Sequence, residues 1–314
     1  MTGTIIGLDI GGTKSAVVEG GRDAEIYQRR GFTTPADRPF DVAAPFMEGE
    51  IDQVLAAAQA AGRSVEALSV SVGGPLDIQR GLLTTPEQLP NWHGAPLRDW
   101  LETRYGRPAY VEHDGNTGAL AEYHFGAGQG ARILVFLTFG TGLGAGIMID
   151  GRVLYGVNDL AGEVGHIRIA PDGPSTHGKS GTWEGYASGV GLVYLARMRQ
   201  PRRWAEPLAT RTIVAAALDG DPDALALVRE AGQWLGRGLA VLVDVLNPDR
   251  IVVGTLGVVL GDLVLEPARA AMRAEALAVS AAACAVVPAG LGARLQDVQA
   301  LMGAIDRHPR GGLE

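Results

Sequence analysis

The order of apolar and polar positions predicts strands that end in glycine turns. TIIGLDI, residues 4–10, is an apolar run that stops at two glycines, and the alternating segment KSAVVEGG follows it. RILVFLTFGTGLGAGIMID, residues 132–150, has the same order of apolar run, glycine turn and second apolar run. Period-two alternation bounded by glycine is typical of strands joined by a tight turn. Both halves of the chain are therefore predicted to open with a strand–turn–strand hairpin.

Helical spacing of apolar residues follows these strands. We expect further strands in ALSVSV, AYVEHD and RIVV. Strands that alternate with helices are typical of an α/β fold. The segments with helical spacing are 48–61, 97–106, 115–126, 233–249 and 295–306.

Composition and charge narrow the classes of function. The chain has 314 residues, 46% of them apolar and 20% charged, which suits a soluble protein with room for two domains. Its net charge of −8 disfavours nucleic acid as a partner. No apolar run reaches the ~20 residues of a membrane helix. The lone Cys284 excludes an internal disulfide, and no signal segment precedes the strand at Ile5, so we expect a cytoplasmic protein and no membrane partner.

The turn in DIGGTK carries candidate phosphate chemistry. Gly11 and Gly12 allow backbone N–H groups to approach a phosphate, because no Cβ stands in the way. Thr13 adds a hydroxyl and Lys14 a cation, while Asp9 could hold Mg²⁺ through water. The turn alone is equally compatible with a plain hairpin that carries polar surface residues.

The second turn, FGTGLGAG at 139–146, repeats the arrangement. It fails the dinucleotide pattern G-x-G-x-x-G, because Ala145 stands where glycine is needed and a strand follows instead of a helix. Gly140, Thr141 and Gly142 are the candidate phosphate contacts here. Two such turns suit a cleft that holds one triphosphate from both sides.

The order of motifs resembles a known superfamily. DIGGTK, FGTGLGAG and IVVGTLG are similar to the phosphate-1, phosphate-2 and adenosine motifs of the actin/hexokinase ATPases, and AGEVGHI with GTWEGYASG resembles the ROK family of sugar kinases and repressors. The resemblance implies a two-domain α/β actin-like ATPase (ribonuclease H-like) fold with an interdomain cleft. It also implies MgATP as cofactor, with Gly254 and Gly257 in the adenosine motif. We expect a small domain from 1–112 plus 295–314 and a large one from 113–294.

Asp114, in VEHDGNTG, is the candidate general base. Phosphoryl transfer to a hydroxyl needs a carboxylate that accepts the proton, and Asp114 lies where a strand meets a helix. From the residues alone, an ordinary helix N-cap is the better explanation of this position. The resemblance implies catalysis, since ROK kinases carry the base in an Asn-Asp pair. Here His113 replaces the Asn, which we expect to affect sugar choice.

The sugar is expected to contact a second group of residues. The resemblance assigns Glu163, His166 and Glu184 to sugar hydroxyls and places Gly74 of SVGGPLD beside the sugar. Carboxylates and imidazole make charge-assisted hydrogen bonds that distinguish hydroxyl positions. Without the resemblance, Glu163 and Glu184 would read as solvent-facing residues.

A structural zinc is expected to be absent. ROK kinases commonly hold a structural zinc with one histidine and three cysteines. The histidine position falls on His166, and the cysteine positions fall on Ser175, His177 and Thr182. Hydroxyls are poor zinc ligands, which leaves too few. We expect the loop to be held by hydrogen bonds and glycine turns instead.

Two other interpretations remain. GPSTHGKS, residues 173–180, matches the phosphate-loop pattern G-x-x-x-x-G-K-[ST], but the flanking segments lack the required strand and helix. Such enzymes also hold Mg²⁺ with an aspartate at the end of an apolar strand. Asp244 follows an apolar run, but its spacing fits a helix better. A non-enzymatic sugar sensor would need a DNA-binding arm, and only four residues precede Ile5. The sequence thus predicts an ATP-dependent hexose kinase, by resemblance a homodimer acting on the 6-hydroxyl of glucose or a related hexose.

Overall fold

The structure is a computed structural model that describes residues 3–86, 88–205 and 207–307. Its strands are Gly3–Ile10 (β1), Lys14–Gly20 (β2), Ile26–Thr33 (β3), Ser64–Val72 (β4), Leu76–Asp77 (β5), Leu82–Leu83 (β6), Ala109–His113 (β7), Ile133–Leu137 (β8), Ala145–Ile149 (β9), Arg152–Val153 (β10), Ser175–Thr176 (β11), Lys179–Ser180 (β12), Arg250–Val253 (β13) and Ala285–Pro288 (β14).

The helices lie between and after these strands. They are Phe40–Ala60 (α1), Leu97–Tyr105 (α2), Asp114–Phe125 (α3), Trp183–Tyr186 (α4), Gly189–Arg199 (α5), Thr210–Leu218 (α6), Pro222–Leu246 (α7), Leu256–Leu260 (α8), Asp262–Glu275 (α9), Ala278–Ala283 (α10) and Leu295–Arg307 (α11). Among the described residues, no helix has both the length and the apolar composition needed to cross a lipid bilayer.

The chain forms two compact units. The described residues of the first are 3–86, 88–121, 155–160 and 293–307, and those of the second are 122–154, 161–205 and 207–292. The division predicted from the sequence passed between residues 112 and 113, whereas the first compact unit continues through Asp114. The predicted limits of the functional domains stay a prediction.

The first unit is built on a five-stranded sheet. Its order is β3-β2-β1-β4-β7, in which β2 and β3 are antiparallel neighbours and β4 and β7 run parallel to β1. The hairpin β1–β2 therefore carries the first glycine turn at the carboxyl end of β1. The strand β7 delivers its last residue at the carboxyl end of the same parallel group.

Strand β1 is buried on both faces, which explains its continuous apolar run. Ile6 and Leu8 pack with α1 on one face, while Ile5 packs with Leu301 of α11 on the other. A Cβ on Gly7 would lie 2.7 Å from the Ala300 backbone, so glycine is needed for α11 to approach.

The second unit repeats the arrangement. Its sheet has the order β10-β9-β8-β13-β14, with β9 antiparallel to β8 and with β13 and β14 parallel to it. The hairpin β8–β9 carries the second glycine turn. The predicted strand–turn–strand hairpin is present in both units.

The long helix α7 forms the core of the second unit with α9. Asp221 caps its start by accepting from the Asp223 and Ala224 amides, and Asn247 ends it in the left-handed conformation. A Cβ on Gly236 would lie 2.2 Å from the Ala268 carbonyl oxygen of α9. The two helices can thus pack closely only with glycine there.

One helix differs from its prediction. Helix α1 begins at Phe40, eight residues before the predicted start, and includes Pro45. Proline lacks an N–H and usually interrupts a helix. Burial of Ala43, Ala44 and Met47 against the first sheet compensates for the lost backbone bond.

Candidate active site

The first glycine turn is fixed by its own backbone. The Gly11 amide donates to the Lys14 carbonyl at 3.2 Å, and the Thr34 hydroxyl donates to the Gly11 carbonyl at 2.7 Å. A Cβ on Gly12 would lie 2.8 Å from the Gln88 Cβ, and one on Gly11 would lie 2.7 Å from the Lys14 carbonyl oxygen. Both positions therefore require glycine. Thr13 and Lys14 are exposed at the tip of the turn.

Asp9 ends the strand that leads into this turn. Its pKa is raised to about 7, first because a charged carboxylate is disfavoured away from water and then because of the negative charges of Asp114 and Asp297, against a smaller opposing effect of Arg29. Asp9 and Asp114 therefore share one electrostatic environment. A carboxylate is a suitable ligand for Mg²⁺, whose charge would favour the ionised form.

Asp114 begins α3 directly after the last residue of β7. Its side chain is 41% exposed, while that of the neighbouring His113 is 15% exposed. The His113 Nδ1 atom lies 3.3 Å from an Asp114 carboxylate oxygen and accepts the Gly115 N–H at 3.2 Å. Because Nδ1 accepts a hydrogen bond, the proton of the neutral ring is assigned to Nε2. An exposed carboxylate beside an imidazole can accept a proton from a ligand.

Gly74 packs directly against this histidine. A Cβ on Gly74 would lie 2.7 Å from the His113 Cδ2 atom, so a larger residue would displace the ring. A Cβ on the neighbouring Gly73 would lie 3.8 Å from an Asp114 carboxylate oxygen. Gly74, His113 and Asp114 are thus brought together in the first unit.

A buried glutamate behind the strand end holds this junction. Glu112 is fully buried, and its Oε1 accepts from the His113 amide at 2.9 Å and from the Asn116 side chain at 3.0 Å. Its Oε2 accepts from the Tyr155 hydroxyl at 3.0 Å and from the Arg307 guanidinium. Burial and the charge of Glu112 raise the pKa of Tyr155, so the phenol stays protonated. Sequence analysis missed Glu112, because its partners are distant in the chain.

The second glycine turn, in the second unit, is also closed by backbone bonds. The Thr138 amide donates to the Gly144 carbonyl and the Gly140 amide to the Gly142 carbonyl, both at 3.0 Å. The Gly140 carbonyl also accepts the Gly189 amide at 2.8 Å. Thr141, at the tip, is exposed.

The adenosine-type motif lies beside this turn. The Leu256 amide donates to the Phe139 carbonyl at 2.9 Å. A Cβ on Gly254 would lie 2.9 Å from the Phe136 ring, and one on Gly257 would lie 2.6 Å from the Val253 side chain. The two predicted glycines are required by packing and lie next to the predicted phosphate-binding turn.

Glu163 precedes a short 3₁₀ turn, Val164–His166, and His166 is the last residue of that turn. Their side chains approach to 3.8 Å between Oε2 and Nε2, and both are partly exposed. A Cβ on Gly165 would lie 2.3 Å from the Leu143 carbonyl oxygen. The glycine therefore lets this segment pack against the second glycine turn.

Glu184 connects to the same glycine turn. It lies in α4, where Trp183 is so close to α7 that a Cβ on Gly238 would lie 1.9 Å from its ring. The Glu184 Oε2 accepts the Leu143 amide at 2.9 Å. Its Oε1 lies 3.0 Å from the Nε2 of His177. The structure thus groups Glu163, His166 and Glu184 in the second unit, and adds His177.

The phosphate-loop match is a hairpin. Ser175–Thr176 pairs antiparallel with Lys179–Ser180, and His177 and Gly178 form the turn. A phosphate loop needs a strand, a loop and then a helix that begins at the lysine. Lys179 lies instead in a strand, and Asp244 lies inside α7. The match to the pattern is therefore coincidental.

The zinc positions of the ROK kinases do not suit zinc here. The rings of His166 and His177 are stacked, with centroids 3.7 Å apart and planes inclined by 19°, so their nitrogens do not point at one centre. The Thr182 hydroxyl contacts that of Thr176 at 2.5 Å and caps α4. Within the described part of the chain, no three His, Cys, Asp or Glu residues are arranged to hold a metal ion. The absence of zinc stays a prediction for metal analysis.

Known proteins resemble this chain over nearly its whole length. The model of the ROK family matches residues 5–307. A glucokinase of Streptomyces coelicolor is 35% identical over 283 residues, which are 85% of this chain and 86% of that protein.

Solved structures agree with this. A ROK family glucokinase from Streptomyces griseus, in complex with glucose and AMPPNP, is 33% identical with a TM-score of 0.79, covering 95% of this chain and 97% of that one. A ROK transcriptional regulator, a homologue of the E. coli MLC protein, is 24% identical with a TM-score of 0.82, covering 97% and 80%, and shows the shared fold alone. The predicted α/β fold of the actin-like ATPases is confirmed. The chain belongs to the ROK family.

Proposed function

We propose that this protein is an ATP-dependent sugar kinase that transfers the γ-phosphoryl group to a hexose hydroxyl. One observation carries the proposal: an exposed carboxylate, Asp114, stands at the carboxyl end of a parallel strand and shares its electrostatic environment with Asp9 of the first glycine turn. The proposed proton acceptor therefore acts electrostatically on the strand end that leads into the proposed phosphate-binding turn, in a chain that is 35% identical to a glucokinase.

Asp114 is the general base of the proposed reaction. The sugar oxygen attacks the γ-phosphorus, the bond from that phosphorus to the bridging oxygen of ADP breaks, and the hydroxyl proton passes to the Asp114 carboxylate. A carboxylate in this role contributes about 10²- to 10⁴-fold to the rate. The Glu112 and Gln299 side chains hold the backbone on either side of it, since Glu112 accepts the His113 N–H and Gln299 donates to the Asp114 carbonyl.

The nucleotide phosphates are proposed to bind the two glycine turns. The first turn offers Gly11, Gly12, Thr13 and Lys14, and the second offers Gly140, Thr141 and Gly142, with Gly254 and Gly257 toward the adenosine. Asp9 would hold Mg²⁺ through water, and the ion would neutralise charge on the phosphates.

The sugar is proposed to bind Glu163, His166 and Glu184, with Gly74 and His113 beside it. Glu184 has acceptor capacity left, because each carboxylate oxygen has two lone pairs and the Leu143 amide uses one. Hydroxyl-directed carboxylates favour a hexose such as glucose, with the 6-hydroxyl as acceptor by resemblance. His113 stands in place of the family's asparagine, and its ring lies 3.3 Å from the Asp114 carboxylate.

Assembly and location are also proposals. Resemblance to the ROK kinases suggests a homodimer, which light scattering would test. The buried Cys284 has its pKa raised to about 11 by burial, which keeps the thiol protonated and suits a reducing cytoplasm.

The test is a coupled assay of ADP release over a panel of hexoses, with Asp114→Asn beside the wild type. We expect sugar-stimulated turnover in the wild type and its loss in the variant. A wild type without turnover on any hexose would refute the kinase.

The second candidate is a non-enzymatic sugar-binding regulator, which the fold shared with the MLC homologue favours. Hexose binding by calorimetry without ADP release would support it. Sugar-stimulated turnover that depends on Asp114 would exclude it.

A further inference from the structure

The hairpin 173–182 carries one side chain that the proposed function leaves unused. His177 has φ +53° and Gly178 has φ +71°, which is the pattern of a two-residue turn that favours Asn or Gly at the first position. Histidine is strained there relative to glycine, because its Cβ crowds the backbone. A strained side chain that persists suggests a role for the side chain itself.

The His177 side chain is directed into the protein. It is only 8% exposed, and its Nε2 lies 3.0 Å from the Glu184 Oε1. This distance is short enough for a direct polar contact between the two side chains. The His177 ring is also stacked on the His166 ring, with 3.7 Å between the ring centroids.

Glu184 is therefore held from both sides. The Leu143 amide fixes Oε2, and His177 lies against Oε1. The hairpin itself is tied to the helix that carries Glu184, since the hydroxyls of Thr176 and Thr182 are in contact at 2.5 Å. The Tyr186 hydroxyl, from the same helix, donates to the Asp172 carbonyl at 2.7 Å.

We propose that His177 is a positioning residue, which orients the Glu184 carboxylate and the His166 ring toward the sugar by direct contact. The residues at the zinc-ligand positions of the ROK kinases support this proposal. The imidazoles of His166 and His177 are stacked there, and the Thr182 hydroxyl contacts the Thr176 hydroxyl. The proposal rests on the proposed function, since it assigns Glu184 and His166 to the sugar. Side-chain packing thus gives the loop its shape, without a metal.

Glycine at position 177 separates this role from a role in the turn. His177→Gly relieves the backbone strain of the turn and removes the contacts with Glu184 and His166, so its kinetics report on the side chain and not on the turn. We expect its KM for hexose to rise about tenfold, the usual effect of losing one contact to a charged group. The KM for ATP should stay within about twofold of the wild type.

Two further variants sharpen the result. His177→Gln keeps an N–H group at the distance of Nε2 and should restore part of the hexose KM. Lys179→Ala, in the facing strand of the same hairpin, is the matched control and should leave the kinetics unchanged. An unchanged hexose KM in His177→Gly would overturn the proposal.

A double-mutant cycle shows whether His177 acts through Glu184. In a Glu184→Gln background, His177→Gly should raise the hexose KM by a smaller factor than in the wild type, because only its contact with His166 is left to lose. Independent roles would give the same factor in both backgrounds. Additive effects would overturn the proposal while leaving the kinase intact. A wild type without sugar-stimulated turnover would instead refute the proposed function. In that case the melting temperatures of the wild type, the two single variants and the double variant test the contact between His177 and Glu184. Additive shifts in melting temperature would show that the two side chains do not interact.

Discussion

Two glutamates with similar local bonds are suited to different roles, because their burial and counter-charges differ. Glu112 in the first unit and Glu184 in the second each accept a backbone amide, from His113 and from Leu143. Glu112 is fully buried and paired with the Arg307 guanidinium, so its acceptor capacity is used within the protein. Glu184 is 15% exposed and faces an imidazole. The first can only support a site, while the second can also bind a ligand.

The largest expected effect concerns the residue that Glu112 supports. Asp114→Asn should lower kcat about 10²- to 10⁴-fold, because the amide cannot accept the proton. Its melting temperature should stay near that of the wild type, since the side chain is 41% exposed. Steady-state assays and thermal unfolding measure both. Asp52→Asn, which changes another exposed carboxylate, is the control, and full activity in Asp114→Asn would refute the base.

Removing the charge of Glu112 should affect stability first. Glu112→Gln leaves the Arg307 charge without its buried partner, and we expect a loss of about 3–5 kcal/mol in the free energy of unfolding. Urea unfolding measures this. The matched control is Glu266→Gln, which removes an exposed partner of Arg269 and should cost less than about 1 kcal/mol. Equal losses of stability in both variants would show that the buried Glu112 supports the fold no more than an exposed glutamate does.

Glu184→Gln should show the opposite pattern. The KM for hexose should rise about 10- to 100-fold, because a charge-assisted bond to a sugar hydroxyl becomes a neutral one. The melting temperature should change by less than about 2 °C, since no buried cation loses its partner. A large drop in stability with an unchanged KM would place Glu184 with Glu112 as a supporting residue.

Asp9 offers a third environment, buried and near charges of its own sign. Its pKa of about 7 lies above the value of 3.8 in an unfolded chain, so the folded state binds the proton more tightly and loses stability as the pH rises between these values. Asp9→Asn should therefore gain stability relative to the wild type from about pH 4 to pH 7 and keep a constant advantage above that. Urea unfolding without Mg²⁺ at several pH values tests this. A difference that does not change with pH would contradict it.

The local devices of the fold were predictable from the sequence. Both glycine turns connect two strands as predicted, and Asp114 lies where β7 meets α3. These features depend on period-two alternation and on glycines a few residues apart, which are visible in one short window. The start of α1 was missed, because burial of its first turns outweighs the local signal of Pro45.

The supporting contacts could not be predicted in the same way. Glu112 is joined to Tyr155 and Arg307, more than forty residues away in each case. The sequence indicated only that His177 stands in a turn or at a former metal-ligand position. Its packing against Glu184 and His166 is visible only in the three-dimensional structure. Sequence patterns predict strands, turns and helices, but they do not show which side chains meet once these elements pack.

The return of α11 to the first sheet has a consequence for synthesis on the ribosome. Ile5, Val18 and Ala67 form an apolar face that α11 covers through Ala300, Leu301 and Ala304. During translation these strands emerge first and their cover emerges almost 300 residues after Ile5. The nascent chain therefore carries an uncovered apolar sheet face for most of its synthesis, and a ribosome that stalls before α11 leaves that face open to chaperones and to aggregation.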